Sequence, residues 1–168
     1  MRETIIPDAT VMAGYLSAFK NHLRLTGGDM DSDLTQILDA AFKSAEHVIG
    51  RVIPVSQVTV EGKYTSVDSS IVLRLRGPVI ALDSVIVGAD DVTDSCTLDG
   101  NCVTVPGSFE NQEVTVTYTA GWESIPADVL NAVFLIGSSL FSQPLDSVET
   151  LPKASSILLR PYRTWGEE

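Results

Sequence analysis

The sequence predicts an α+β fold in which an antiparallel β-sheet, or a small barrel of hairpins, is inserted between helices. Apolar residues at three- and four-residue steps predict an N-terminal helix pair at about 11–25 and 32–49. Period-two alternation follows over about 55–119, and a buried apolar helix follows at about 126–142. Because strands and helices occupy separate blocks, a Rossmann-type sheet is not expected. We expect one domain over residues 1–168, with a C-terminal tail at 143–168.

The first helix is predicted from an apolar stripe. Leu16, Phe19 and Leu23 recur at helical spacing, and Gly27-Gly28 provides an end signal. We therefore expect an amphipathic surface helix.

The second helix has a capping signal at each end. Asp31 or Ser32 is the predicted cap, and Gly50 is the predicted stop. Seven apolar residues between them keep to one stripe for four turns: Leu34, Ile37, Leu38, Ala41, Ala45, Val48 and Ile49.

Strands are predicted wherever apolar residues alternate with polar ones between turn signals. Asp99-Gly100 is the predicted two-residue turn of one hairpin, which would place Thr97 opposite Cys102. Cys96 and Cys102 would then be offset on opposite faces, so a disulfide between them is disfavoured. The predicted strand segments are 58–60, 71–75, 84–88, 96–98, 103–105 and 113–118.

The third helix differs from an ordinary surface helix. Gly121 ends the preceding strand, and Pro126 suits a first helical turn. Residues 129–141 are apolar nearly all round, whereas a surface helix should show one polar face. This helix must be covered on several sides, either by the rest of the chain or by a neighbouring subunit, and the sequence leaves both alternatives open.

The tail combines a predicted loop with an aromatic and basic end. Prolines at 144 and 152 predict a mobile loop over 143–153, and a short helix is predicted at 154–159. Arg, Tyr and Trp dominate interface hot spots, so Arg160, Tyr162, Arg163 and Trp165 have the composition of an anchor in a partner's pocket. Packing of these residues onto their own domain is the equally weighted alternative.

Charge and composition exclude several classes of protein. The formal net charge of −11 opposes phosphate binding, so the chain is not expected to grip DNA, although DNA could pass it without sticking. The N-terminal residues lack a signal-peptide pattern, and the longest apolar run is shorter than the roughly 20 residues that cross a bilayer. We expect a soluble intracellular protein with reduced thiols and no membrane association.

No constellation of residues predicts catalysis. His22 and His47 are far apart on predicted helices and have no metal-ligand spacing. The run of Asp29, Asp31 and Asp33 starts like an EF-hand loop, but Leu34 and Ala40 occupy the positions that need Gly and Glu. Phosphate-binding loops and nucleophile motifs are also missing. We therefore expect no catalytic, cofactor-binding or metal-binding residues, and no enzyme.

Four segments carry a further signal through their order along the chain: LSAFKNHLRL at 16–25, DLTQILDAAFKSAEHVIGRVI at 33–53, YTAGWESIPADVLNAVFLIGSSLF at 118–141 and LLRPYR at 158–163. In this order they resemble the head-tail connector (head-tail adaptor, or head completion) proteins of tailed double-stranded DNA bacteriophages and prophages. The resemblance implies a structural protein without cofactor. It implies a ring of roughly a dozen subunits beneath the portal protein, which extends the DNA channel and offers a platform for a tail or stopper protein. The strand-rich segment 55–117 is larger than the helices alone require.

This resemblance implies a location in the virion neck, reached from the host cytoplasm during assembly. The ring is expected to close through the helix at about 126–141 and the tail at 160–165. A tail-completion or minor tail protein is the first alternative, and a small-molecule-binding or catalytic α+β domain is the second. The predicted interface residues are Val133, Phe134, Phe141, Arg160, Tyr162, Arg163 and Trp165.

Overall fold

The structure, a computed structural model, describes residues 2–142 and 152–164 and confirms an α+β fold with two antiparallel sheets. Its contacts divide the chain into two compact units. The β unit comprises Met1–Asp8 and Val55–Gly121. The helical unit comprises Ala9–Pro54 and Trp122–Glu168.

The β unit contains eight described strands and one 3-10 turn, Thr93–Ser95. Two strands were not predicted from the sequence, the N-terminal one and the two-residue strand Asp90–Asp91. The N-terminal strand depends on pairing with a distant segment, Ser56–Tyr64. The strands are β1 (Arg2–Pro7), β2 (Ser56–Tyr64), β3 (Ser70–Arg74), β4 (Val79–Val87), β5 (Asp90–Asp91), β6 (Thr97–Asp99), β7 (Cys102–Pro106) and β8 (Gln112–Ala120).

These strands form two sheets and no closed barrel. The five-stranded sheet has the order β1-β2-β8-β4-β5, and the three-stranded sheet has the order β3-β7-β6. All the pairs are antiparallel, yet β8 lies between β2 and β4, both of them distant in sequence. Alternate β8 residues, from Val114 to Ala120, are fully buried, while the threonines between them are partly exposed. The predicted alternation of this strand therefore marks one face of a central strand.

The hairpin that carries the cysteines turns later than predicted. Asp99 pairs with Cys102, so Gly100 and Asn101 form the turn and Thr97 lies opposite Thr104, not Cys102. Gly100 has a φ of 57°, which a glycine adopts without strain. The Asn101 side chain also accepts a hydrogen bond from the Val79 amide (3.2 Å), an interaction that fixes the turn and that no local pattern reveals. Both cysteines are free thiols.

The helical unit contains α1 (Ala9–Leu23), α2 (Asp31–Ile49), α3 (Ala127–Ser142) and α4 (Lys153–Leu159), followed by a 3-10 turn, Arg160–Tyr162. The first helix ends before the predicted glycines. Arg24 takes the left-handed conformation (φ 57°), and the Leu25 amide donates to the Lys20 carbonyl. The predicted loop at 143–153 lies outside the described residues as far as residue 151.

The second helix is not capped as predicted. Met30 occupies the N-cap position, and no side chain caps the first turn. Asp31 instead accepts a hydrogen bond from the Lys20 ammonium group (2.5 Å). At the other end, the Gly50 prediction is confirmed, with a φ of 70° and an amide that donates to the Glu46 carbonyl.

The core of the helical unit forms where α1, α2 and α3 meet. Phe19 of α1 is fully buried and lies 5.5 Å, between ring centroids, from Phe134 of α3. The seven-residue stripe predicted for α2 supplies most of its face. Leu159 of α4 is also fully buried in this cluster, so α4 is part of the same core.

Candidate functional site

The described residues contain no cluster of side chains that could hold a metal ion. Among residues 2–142 and 152–164, no three His, Cys, Asp or Glu side chains come together as a metal site. His22 lies against the Phe134 ring, 5.5 Å between centroids, which is a packing contact. No helix in the described ranges is long and apolar enough to span a bilayer.

The titratable groups with shifted pKa values have structural explanations. Burial raises the pKa of Tyr118 to about 12, and a backbone hydrogen bond with Arg76 partly opposes that shift. The Tyr118 hydroxyl accepts from the Arg76 amide (3.1 Å), so it ties β8 to the segment that follows β3. Burial, and then the charge of Asp91, raises the pKa of the Cys96 thiol, which disfavours the reactive thiolate. Both groups lie in the β unit, and burial is the largest cause of both pKa shifts.

The third helix is covered largely by its own unit. Val133 is fully buried and Phe134 is 6% exposed, and both pack in the cluster formed with α1 and α2. Among the apolar side chains of α3, the half-buried Leu130, Leu140 and Phe141 retain surface that a neighbour could contact. The cover that the sequence left open is therefore mainly intramolecular in the described part of the chain.

The described tail is also fastened to its own unit. The Arg163 Nε donates to the Val48 carbonyl (3.0 Å), and the Thr164 amide donates to the Ile49 carbonyl (2.9 Å). Tyr162 meets Trp122 edge to face at 6.2 Å between ring centroids. The two hydrogen bonds satisfy the Val48 and Ile49 carbonyls at the C-terminal end of α2. Of the predicted anchor residues, Tyr162 and Arg163 are thus held in place, and Trp165 lies outside the described residues.

One face of the tail remains available to a partner. Ile157 of α4 is 71% exposed, which is unusual for an isoleucine in a short helix that buries Leu159 and Ser155. Arg160 follows it and is also exposed. We call Ile157 and Arg160 the tail patch. The sequence reasoning selected Arg160 from its residue type but missed Ile157, because a single apolar residue gives no signal of exposure.

The two residues of the tail patch offer a partner different kinds of contact. Ile157 offers apolar area, and Arg160 offers a guanidinium that can pair with a carboxylate on a partner. The helix beneath them is fixed by the buried Leu159 and by the Ser155 hydroxyl, which donates to the Pro152 carbonyl (2.7 Å). A preorganised apolar and cationic pair of this kind can bind a protein surface with little loss of entropy.

Comparison with known proteins identifies the fold. No family model and no curated protein matches the chain. Solved structures do match over nearly the whole length. A chain in the neck of an empty gene transfer agent (GTA) particle, computed with C6 symmetry, has a TM-score of 0.76 and 20% identity. A chain in the neck of the native GTA particle, computed with C12 symmetry, has a TM-score of 0.75 and 18% identity.

A chain in the virion of the native GTA particle likewise has a TM-score of 0.75 and 20% identity. Each match covers 98% of this chain and 96% of the other. Both units, with their order of helices and strands, therefore have counterparts in proteins of that particle. This agrees, at the level of the fold, with the resemblance to head-tail connector proteins drawn from the sequence.

Proposed function

We propose that this chain is a structural protein of the neck of a phage-like particle, where it acts as a head-tail connector. The observation that carries the proposal is the full-length likeness in fold to chains of a particle neck.

In this role roughly a dozen copies form a ring beneath the portal protein and extend the channel for DNA. Identical head-to-tail contacts close such a ring when the rotation between neighbours divides a full turn. The net charge of −11 suits a channel that DNA traverses without binding. A tail or stopper protein docks on the outer side, and the chain reaches the virion neck from the host cytoplasm.

The contacts proposed for assembly follow from what remains exposed. The tail patch, Ile157 and Arg160, meets the portal or the next subunit, and the half-buried Phe141 lies on the same helix pair, α3 with α4. The more deeply buried Val133 and Phe134 support this surface from beneath. Tyr162 and Arg163 hold the tail in position, and Trp165 extends the anchor.

Electron microscopy of the purified protein, alone and mixed with its portal protein, tests this function. Rings of about twelve subunits on the portal are the expected result. Particles produced without the protein should contain packaged heads that fail to join tails. If such heads join complete tails supplied from a wild-type preparation, and their own tails accumulate without a terminal ring, the protein is a tail-completion protein and the connector role is wrong.

A further inference from the structure

The five-stranded sheet of the β unit has two open edges among the described residues. β1 pairs with β2 on one side only. At the opposite edge, β5 covers only Ile86 and Val87 of β4, and the Val92 amide donates to the Val85 carbonyl. The Val79 amide is bonded to the Asn101 side chain, so residues 80–84 of β4 are the part that has no strand beside it on that edge. Open edges of this length are sites of strand addition.

The hydrogen-bonding groups of the β1 edge can be assigned. The Asp8 amide donates to the Val55 carbonyl (3.0 Å), in register with the pairing of β1 and β2. Because hydrogen-bonded and non-hydrogen-bonded pairs alternate in an antiparallel ladder, Arg2, Thr4 and Ile6 bond to β2. The amides and carbonyls of Glu3 and Ile5 then point away from β2, towards the open edge.

We propose that residues 4–6 of β1 in one copy pair antiparallel with residues 80–84 of β4 in the next copy, so that the sheet continues from subunit to subunit. This inference rests on the proposed ring. Strand direction favours it. Four full strands, β1, β2, β8 and β4, alternate in direction, so β1 and β4 run oppositely. A neighbour rotated by about 30°, as in a twelve-membered ring, keeps nearly the same direction, which makes its β1 antiparallel to β4.

The two edges also match in side chains. In the unstaggered register Thr4 lies opposite Ser84 and Ile6 opposite Ala81, while Glu3 and Arg2 lie opposite Val85 and Ile86, which Val92 and β5 already cover. Ile6 is 60% exposed and Ile80 is 41% exposed. Across β1, β2, β8 and β4, the paired residues form a row perpendicular to the strands: Ile6, Gln57, Thr119 and Ala81. If the next copy is not shifted along the strand direction, its Ile6 lies at the end of this row, beside Ala81 and Ile80. Apolar side chains at the two ends would then cover each other.

Charge favours the same alignment. The row of paired residues that starts at Arg2 of β1 ends at Asp91 of β5. A neighbouring copy that is not shifted along the strands therefore brings its own Arg2 towards Asp91. No Lys or Arg occurs between Arg76 and Lys153, and the acidic end of β4 and β5 therefore has no basic residue of its own segment. Register irregularities at 79/81 and 82/84 bend β4. Such bulges restrict which strand can pair with this edge, which suits a specific partner.

Cysteine cross-linking in assembled particles tests the pairing. The variant Ile6→Cys/Ile80→Cys, in a background with Cys96→Ser and Cys102→Ser, places both thiols on the proposed contact. Within one chain the two positions are three strand spacings apart, about 14 Å, which is too far for a disulfide. Oxidation should therefore produce a ladder of multimers up to the full ring. The control Ile6→Cys/Val72→Cys, with Val72 63% exposed on the other sheet, should remain monomeric.

A backbone variant gives an independent readout. Ile5→Pro removes an amide that points to the open edge and none that bonds to β2, so the isolated protein should melt within a few degrees of wild type. Its incorporation into particles should fall at least tenfold. A wild-type protein that is missing from particle necks would refute the proposed function itself. Wild-type protein present in necks, with no ladder from the 6/80 pair, would overturn only the strand pairing.

Discussion

The ring of Phe19 in α1 lies directly against the backbone of Gly137 in α3. A Cβ atom added at Gly137 would come within 2.7 Å of Phe19 Cζ and 3.6 Å of the Ala41 Cβ. Three helices therefore meet at a position where only hydrogen fits. This contact explains why a glycine stands inside an otherwise apolar helix, although glycine costs about 1 kcal/mol of helix stability relative to alanine.

Gly137→Ala should destabilise the protein despite its better helix propensity. Overpacking costs about 1–3 kcal/mol, which exceeds the gain of about 1 kcal/mol from alanine. We expect a net loss of about 1 kcal/mol in the free energy of unfolding, measured in urea. Gly14→Ala in α1 is the matched control, because nothing lies within 4 Å of its added Cβ, and it should stabilise. If the two substitutions changed the free energy of unfolding equally, the close approach of Phe19 to Gly137 would not determine stability.

Glu46 should be essential to the end of α2 as a hydrogen-bond acceptor. Its residue is 6% exposed, and its carboxylate accepts from the Ile53 amide at 2.8 Å. Glu46→Met should cost about 1–3 kcal/mol, since it leaves that buried amide without this acceptor. Glu46→Gln, which retains an acceptor oxygen, should cost distinctly less in the same urea titration. A Gln variant as unstable as the Met variant would show that the hydrogen bond is not the cause.

Alkaline pH should weaken the protein through Tyr118. Its folded pKa of about 12 lies above the ordinary value of 10.0, because burial disfavours the phenolate. The resulting stability is fully present below pH 10 and is lost as the pH rises through 12. Free energies of unfolding between pH 9 and 12 should fall more steeply for wild type than for Tyr118→Phe. Tyr15, whose pKa burial also raises, remains in both proteins and is a shared background.

Substitution of the tail patch should impair docking without unfolding the protein. Ile157→Asp/Arg160→Glu changes two exposed side chains, so the melting temperature should stay within about 3 °C of wild type. Binding to the portal, or incorporation into particles, should fall at least tenfold. Val67→Asp is the matched control, since Val67 is 73% exposed on the β unit. Full incorporation of the tail-patch variant would remove this patch from the proposed interface.

Removal of all residues after Leu159 should have a larger effect on docking but also a measurable cost in stability. The deletion keeps the buried Leu159 and loses the hydrogen bonds of Arg163 and Thr164 to the end of α2. Each net hydrogen bond contributes about 1 kcal/mol, so the monomer should remain folded but melt earlier. Circular dichroism melts establish folding, and head-tail joining measures function. Truncated protein that still completes heads would show the tail to be dispensable.

By itself, the sequence determined the elements whose signals are local. The stripe of α2, the Gly50 stop, the alternation of β8 and the apolar run of α3 were all predicted, because each depends on side-chain periodicity within a few turns or residues. The sequence also contains no catalytic motif, and its net charge of −11 opposes phosphate binding.

Only the tertiary structure decided what depends on distant partners. β1 exists because it pairs with β2, β8 lies between two strands far from it in sequence, and the cysteine hairpin takes its register from Gly100 and Asn101. The packing partners of α3 also come from distant parts of the chain, because Phe19 and α2 pack against it. Pairing and packing join residues that are tens of positions apart, and no local pattern specifies which of the possible partners will meet.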